Sequence, residues 1–597
     1  MLRELVEAAD RFRDEKKPLP SSTKPRQPTW VITFDDEGNS QLLGPYKRDD
    51  HRAIVAPDRQ RSGAIGPDNL KPYLLVDDGR YVLGKAEPGK AGEAVLAHRA
   101  FMALLKLAGE RTGDPEIARI LAFLSQPLPE EFVRRVGPKD IVTFRTASGE
   151  FPCERDPIQG FWRDYLASEL TADFSATCSL CGQYGKILRL LPSEIVVMGQ
   201  KCSVTSFNLS AFTSRAKLQS TNAPLCYDCA ASAIGALSYL IRDPKHHSVI
   251  ARDKGKGPGN PMRNELAIYW LREPQGQPSG GISIDLEDAI SALLRDENEL
   301  TVGGTPPPDL AQLERLLNVS WTASASATHL STNSFNLAVL SANKARLVVR
   351  EWLVVPLDDL RDRLGRFLQG TRIVGPNGEA ARALAIPAIV DALETTDPQN
   401  TRGLLRVAFL GDRPPEALCS AALLRFRNVL LSGKAHNTST ARSEEAQRRE
   451  QLATLQVLAA VIKLARTYGG KEAETLEHLD RDHARPAYAC GRLLAALEEA
   501  QRRASRGSLN ATLVDRFYAA ASTAPASTLG TLIERAQTSH LPKIRKENRG
   551  YKELQELIQE IMGHFQAEHA IPHTLTMPQQ ADFALGYYHQ RAAFRGN

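Results

Sequence analysis

Residues 29–44 read TWVITFDDEGNSQLLG. A β-branched and aromatic run, a DEGN turn and a second short run predict a β-hairpin. Upstream, MLRELVEAADRFRDEKK places Leu2, Leu5, Val6 and Phe12 roughly on one face of a helix over residues 1–20, and PRQPTW (25–30) breaks it. Downstream, a basic loop dotted with Gly and Pro (47–72) leads into PYLLVDDGRYVLG (72–84), a second strand–turn–strand signal. From Ala91 to about Gln126 the period is helical again. Strand runs resume at SFNLAVL (334–340) and RLVVREWLVV (346–355), and from about 357 onward helical patterns dominate. The expected class is therefore multidomain α+β, with a mixed α/β N-terminal and central region and a mainly helical C-terminal bundle.

A chain of 597 residues is too long for one core and suggests about three or four domains. Composition shifts divide it into an N-terminal α+β domain with a basic loop (1–150), a cysteine-bearing basic segment (151–275), a linker or insertion (276–310) ending in TVGGTPPPD, a central α+β region (311–450) and a helical C-terminal domain (451–597). The polar run SGKAHNTSTARSEEAQRRE (432–450) marks the last boundary. The net charge of +5, from 75 basic and 70 acidic residues, excludes an acidic tail protein and is too mild to identify a nucleic-acid partner by itself. No uncharged apolar stretch reaches the ~18 residues of a membrane span. The charged amphipathic N-terminus does not read as a signal peptide, so a cytoplasmic protein is expected.

The strongest local chemical signal is Cys178-Ser-Leu-Cys181-Gly with Cys226-Tyr-Asp-Cys229. Two residues between cysteines let both thiolates face one ion from a tight turn, and Gly182 supplies the positive φ such a turn uses. Four thiolates close a tetrahedral shell, which predicts a structural zinc with no open position for catalysis. The 44 residues between the pairs (182–225) exceed the gap of a compact zinc ribbon, and the competing reading is four reduced cysteines in a core. Cys202 is expected to be a buried spare.

Charge is unevenly spread. Residues 201–270 hold nine Lys/Arg against four Asp/Glu, and a second basic island is LPKIRKENRG (541–550). Within the first window Lys201, Arg215 and Lys217 suit phosphates, while Ser206, Asn208, Gln219 and Asn222 suit base edges or phosphates. Asn208 and Asn222 equally suit turns held by side-chain-to-backbone hydrogen bonds. Motifs for catalysis are missing. GKAEPGKA has the glycine spacing of a phosphate loop, but Ala91 stands where the magnesium-binding Ser or Thr belongs. No GxSxG, HExxH or His-Asp dipeptide occurs. HLDRDHARP (478–486), with Asp480, Asp482 and His483, reads as a helix terminus with a proline stop.

Seven blocks in order resemble the large subunit of the type I-C CRISPR Cascade, the Csd family. They are RQRSGAIGPDNLKPYLLVDDGRYVLG (59–84), SVTSFNLSAFTSRAKLQSTNAP (203–224), NELAIYW (264–270), FNLAVLSANKARLVVREW (335–352), PAYACGRLLAALEEAQRRA (486–504), LNATLVDRFYAAASTAP (509–525) and MPQQADFALGYYHQRAAF (577–594). Ala342 stands where the family usually has proline. The resemblance implies a subunit that is not an enzyme. It implies recognition of the protospacer-adjacent motif on duplex DNA, help with R-loop formation, and recruitment of a separate helicase-nuclease. The implied partners are the crRNA, target double-stranded DNA, and the backbone, crRNA-end-binding and small subunits of Cascade. The last third resembles the small subunit itself. Under this reading Arg59, Arg61, Asn69 and Lys71, on a loop between strands, join the second window as nucleic-acid-binding candidates. The rival readings are a zinc-containing nuclease and a purely structural adaptor. The cysteine pairs depart from the family pattern, so the zinc rests on their spacing alone.

Overall fold

The computed structural model describes the chain except residues 16, 18, 20–21, 36, 48–51, 60, 62–64, 68, 206, 208–210, 212, 214–216, 218, 252–263, 274–285, 296–309, 319–332, 395–396, 432–440, 469–475, 507–511, 548–549, 566–569 and 597. It is α+β, with several small sheets and a helical C-terminal region. The chain divides into two units, Met1–Asp243 with Leu340–Arg350, and Pro244–Val339 with Glu351–Asn597.

In the first unit, α1 (Leu2–Asp14) buries Leu5, Ala8, Ala9 and Phe12, a face spaced at one helical turn, while Val6 is only half-buried. The expected hairpin is present. β2 (Trp30–Phe34) pairs antiparallel with β3 (Ser40–Leu43), and Gly38 takes a φ of +88° in the turn. β1 (Thr23–Arg26) pairs separately with β4 (Ile54–Pro57). The four-stranded sheet runs β3-β2-β6-β5, with β5 at Val76–Asp78 and β6 at Ile141–Arg145. β2 and β6 are parallel, β5 and β6 antiparallel.

The second strand signal, over 72–84, is half corrected. β5 is a strand, but Gly79–Leu83 forms the short helix α2. The Asp78 side chain accepts from the Arg80 N–H as an N-cap, and Gly84 closes the helix in the left-handed region. The helical stretch from Ala91 is two helices, α3 (Ala91–Thr112) and α4 (Pro115–Leu124). Gly113 at φ +64° stops the first, and Asp114 with Pro115 starts the second. Then follow α5 (Glu130–Arg135), α6 (Asp156–Leu170), the ribbon β7 (Thr171–Thr177) with β8 (Tyr184–Leu188), the pair β9 (Ile195–Val197) with β10 (Gln200–Cys202), and α7 (Tyr227–Arg242). α7 packs on α1, with the Phe12 and Tyr239 rings 4.8 Å apart.

The sheet β11 (His247–Ala251), β12 (Glu265–Leu271), β13 (Ser334–Asn343) and β14 (Arg346–Pro356) runs in that order, and its residues belong to the second unit except Leu340–Arg350, which fall in the first. The two-residue turn Lys344–Ala345 has both residues at positive φ and joins β13 to β14, as hairpin twist favours. Leu286–Leu294, inside the stretch expected as linker or insertion, is a buried helix, because Leu286, Ala289, Ile290, Leu293 and Leu294 share one face and join the core. Residues 441–450 of the expected polar break are the start of the helix Ala441–Thr467; residues 432–440 lie outside the described residues.

Pro486 opens a helix instead of stopping one, since its missing N–H costs nothing in a first turn. That helix, Pro486–Ala504, meets Met577–Gly596 backbone to backbone. A Cβ on Gly491 would lie 2.0 Å from the Phe583 carbonyl oxygen, and one on Gly586 would lie 2.1 Å from that of Tyr488. Around this crossing His589 is fully buried, with Nδ1 2.9 Å from the Tyr488 hydroxyl, and Arg492 donates to Gln590, Glu560 and the Arg481 carbonyl. Two of the sequence blocks, 486–504 and 577–594, are thus each other's packing partners.

Candidate metal centre and nucleic-acid interface

The first cysteine pair sits in the turn between β7 and β8. Cys178 N–H donates to the Gln183 carbonyl at 2.9 Å and Gly182 N–H to the Cys178 carbonyl at 3.0 Å. Gly182 has a φ of +75° with open space around it. The second pair opens α7, with Cys226 as its N-cap and Cys229 in the first turn. Backbone bonds hold the two together: Ser179 N–H to Pro224 O and Leu188 N–H to Leu225 O, both 2.8 Å. The Cys226 N–H points at Cys178 Sγ, 3.4 Å away.

All four Sγ atoms lie within 4.8 Å of one another, Cys181 and Cys226 at 4.0 Å. A zinc ion with four Zn–S bonds of ~2.3 Å needs a tetrahedron edge of ~3.8 Å, so small side-chain adjustments close the shell. Among the described residues, no other group of three or more His, Cys, Asp or Glu side chains has this proximity. Burial pushes the Cys178 thiol up, but N–H donors from Cys181, Cys226 and Leu180 outweigh it and bring the group to about 6. Burial also raises Cys226 and Cys229; the Cys178 thiol adds to both shifts, while the Cys229 thiol pulls Cys226 back down. Four thiolates this close require a compensating cation. The donor set fits a closed, four-sulfur metal site. Cys202 is fully buried and its Sγ contacts the Gln200 carbonyl at 3.5 Å.

The candidate nucleic-acid residues fare differently from one another. Arg59 is buried, pairs with Glu169 at 2.5 Å and lies over the Trp162 and Tyr165 rings. Arg61 forms a bidentate pair with the buried Asp77 (3.0 and 2.5 Å), donates to the Lys71 carbonyl, and is sandwiched between Tyr73 and Tyr81 at 3.9 and 4.2 Å. Both guanidinium groups spend their donors inside the protein. Asn69 N–H donates to the Gly66 carbonyl in a half-buried turn, and Lys71 is half-buried beside it. Asn222 Nδ2 donates to the carbonyls of Lys217 (2.9 Å) and Gln219 (3.0 Å), so its amide holds the turn. Gln219 sits in that turn at φ +50°. Lys201, in the middle of β10, and Lys217 are exposed. Ser206, Asn208 and Arg215 lie outside the described residues.

Three residues beside the metal centre were not among the sequence candidates. Tyr184 is 77% exposed, and Lys186 shares its face of β8, opposite the exposed Ser175 and Thr177 of β7. The exposed Arg189 follows, and its carbonyl accepts from Ser220 N–H at 3.3 Å, which brings the Lys217–Asn222 turn alongside. Among the described residues, Lys186, Arg189, Lys201 and Lys217 have no carboxylate partner. The available signal was the alternation Tyr184-Gly185-Lys186 directly after the first cysteine pair.

No helix among the described residues is long and apolar enough to cross a membrane. No curated protein matches the chain. Residues 5–595 match the model of the family described as CRISPR-associated protein (Cas_Csd1), and the chain belongs to that family.

Proposed function

From membership of a CRISPR-associated family, we propose that this chain is the large subunit of a type I-C crRNA-guided surveillance complex. Base pairing to the guide reads the target sequence, and the chain reads the short adjacent motif on duplex DNA. It then assists R-loop formation and recruits a separate helicase-nuclease, with no catalytic step of its own. The observation that carries this reading is the family match over residues 5–595.

Lys186, Arg189, Lys201 and Lys217, without a carboxylate partner among the described residues, support a DNA-facing surface in the first unit, because Arg59 and Arg61 are committed internally. Lysine and arginine there grip phosphates, and Gln219 offers a paired donor and acceptor to a base edge. The four-cysteine centre holds a structural zinc that fixes the β7–β8 ribbon and the start of α7.

The test is DNA binding by the assembled complex, with correct and scrambled adjacent motifs, as a function of salt. Replacing Lys186, Lys201 and Lys217 together by alanine should flatten the salt slope by ~0.9 for each phosphate that is no longer neutralised. Gln219→Ala should narrow the preference between the two targets. If slope and preference both stay at the unaltered values, the chain is an adaptor and the motif is read elsewhere.

A further inference from the structure

Near the ends of the helices Pro486–Ala504 and Met577–Gly596 the second unit has a cavity of about 190 Å³. Four arginines line it: Arg448 from the helix Ala441–Thr467, Arg502, Arg591 and Arg595. Glu498 and Glu499 are the carboxylates in the wall. Glu499 is already used, since Arg502 binds both its oxygens at 2.6 Å and Arg503 adds a third bond at 2.7 Å. Glu498 accepts the Tyr587 hydroxyl at 2.7 Å. Arg448, Arg591 and Arg595 form no ion pair among the described residues, and Arg591 instead lies over the Tyr587 ring.

We propose that this arginine-lined cavity binds a phosphate group. Three guanidinium groups that make no ion-pair contact among the described residues converge on one concave site, with Glu498 attracting Arg591 and Arg595 from the same wall, and planar guanidinium forks match oxyanions bidentately. The volume is below the ~300 Å³ at which pockets for drug-sized ligands begin, so a single oxyanion fits better than a whole nucleotide. Burial, with repulsion from Arg591 and Arg448, drops Arg595 to about 10 despite the opposing pull of Tyr587 and Glu498. The favourable position of cations at helix C-termini accounts for Arg502 and Arg595 in their last turns but not for Arg448, which comes from a third helix.

The experiment uses the full chain and inorganic phosphate, titrated against chloride at constant ionic strength, with calorimetric binding and thermal melting as readouts. Phosphate should raise the melting midpoint and give a saturable binding heat. Arg448→Gln, at an exposed position, and Arg595→Gln should each weaken phosphate binding about tenfold, as loss of a charge-assisted hydrogen bond does. Competition by a single-stranded oligonucleotide with and without a 5′-phosphate identifies the source: only the phosphorylated strand competing means a strand end, both competing means a backbone diester, and neither means free phosphate. Equal melting in phosphate and chloride with no binding heat would overturn the proposal. So would undiminished binding in a folded Arg448→Gln/Arg595→Gln double variant.

Discussion

Substituting Gly491 by alanine tests the backbone-to-backbone helix crossing directly. The new methyl carbon would stand 2.0 Å from the Phe583 carbonyl oxygen and 2.8 Å from the Tyr587 nitrogen. Neither obstacle is a flexible side-chain end, so the helices themselves must separate by more than an ångström. That loosens Tyr488, Tyr587 and His589, all buried at the crossing. Overpacking of this kind costs ~3 kcal/mol, the upper part of the usual range. Alanine recovers ~1 kcal/mol of helix propensity, leaving a net loss of ~2 kcal/mol. Gly530 supplies the control: it lies within the helix Pro525–Arg535, and its Cβ would meet nothing within 4 Å. Gly530→Ala should therefore stabilise by up to ~1 kcal/mol. In thermal melts the two variants should move in opposite directions, Gly491→Ala downward by ~3 °C, because the large second unit spreads the loss over a large unfolding entropy. Hydrogen exchange should localise the loss to 486–504 and 577–596. If Gly491→Ala melts at or above the unaltered protein, or its exchange is unchanged there, the close crossing is wrong.

Three further outcomes are expected. The protein should purify with about one zinc per chain, and chelation or Cys226→Ser should lower the melting of the 171–230 region; metal analysis finding none, with chelation inert, would sink that expectation. Arg61→Met should cost ~3–5 kcal/mol, because it leaves the buried Asp77 carboxylate without its cation; urea denaturation measures this, and a change below ~1 kcal/mol would make the pair a surface feature. His589 is held neutral by burial, its pKa pushed down to about 3, while the unfolded ring takes a proton near ~6.5. Its contribution is complete above that pH and is lost as pH falls toward 3, by up to ~1.4 kcal/mol per pH unit. Melting between pH 6.5 and 5 should fall less steeply in His589→Phe; parallel curves for both proteins would refute it.

What depends on neighbours along the chain was legible in the sequence. A β-branched and aromatic run closed by a DEGN turn gives the 29–44 hairpin, since strand and turn need only local dihedral preferences. The spacing of each cysteine pair likewise sets a local turn. That the two pairs meet was decided by the tertiary structure, through backbone bonds from Ser179 to Pro224 and Leu188 to Leu225 that span the intervening residues. Asp78 shows the limit at short range: its sequence context suits a turn between strands, and only its bond to the Arg80 N–H makes it a helix cap. The arginines show the limit at long range. Arg59 and Arg61 resemble any basic loop, but Glu169 lies 110 residues away in the chain and Asp77 lies 16. Whether a cation faces a ligand or a carboxylate depends on what folds beside it. Lys186 and Arg189 are open for the same reason that Arg59 and Arg61 are closed: availability of charge belongs to the packing, not to the residue type.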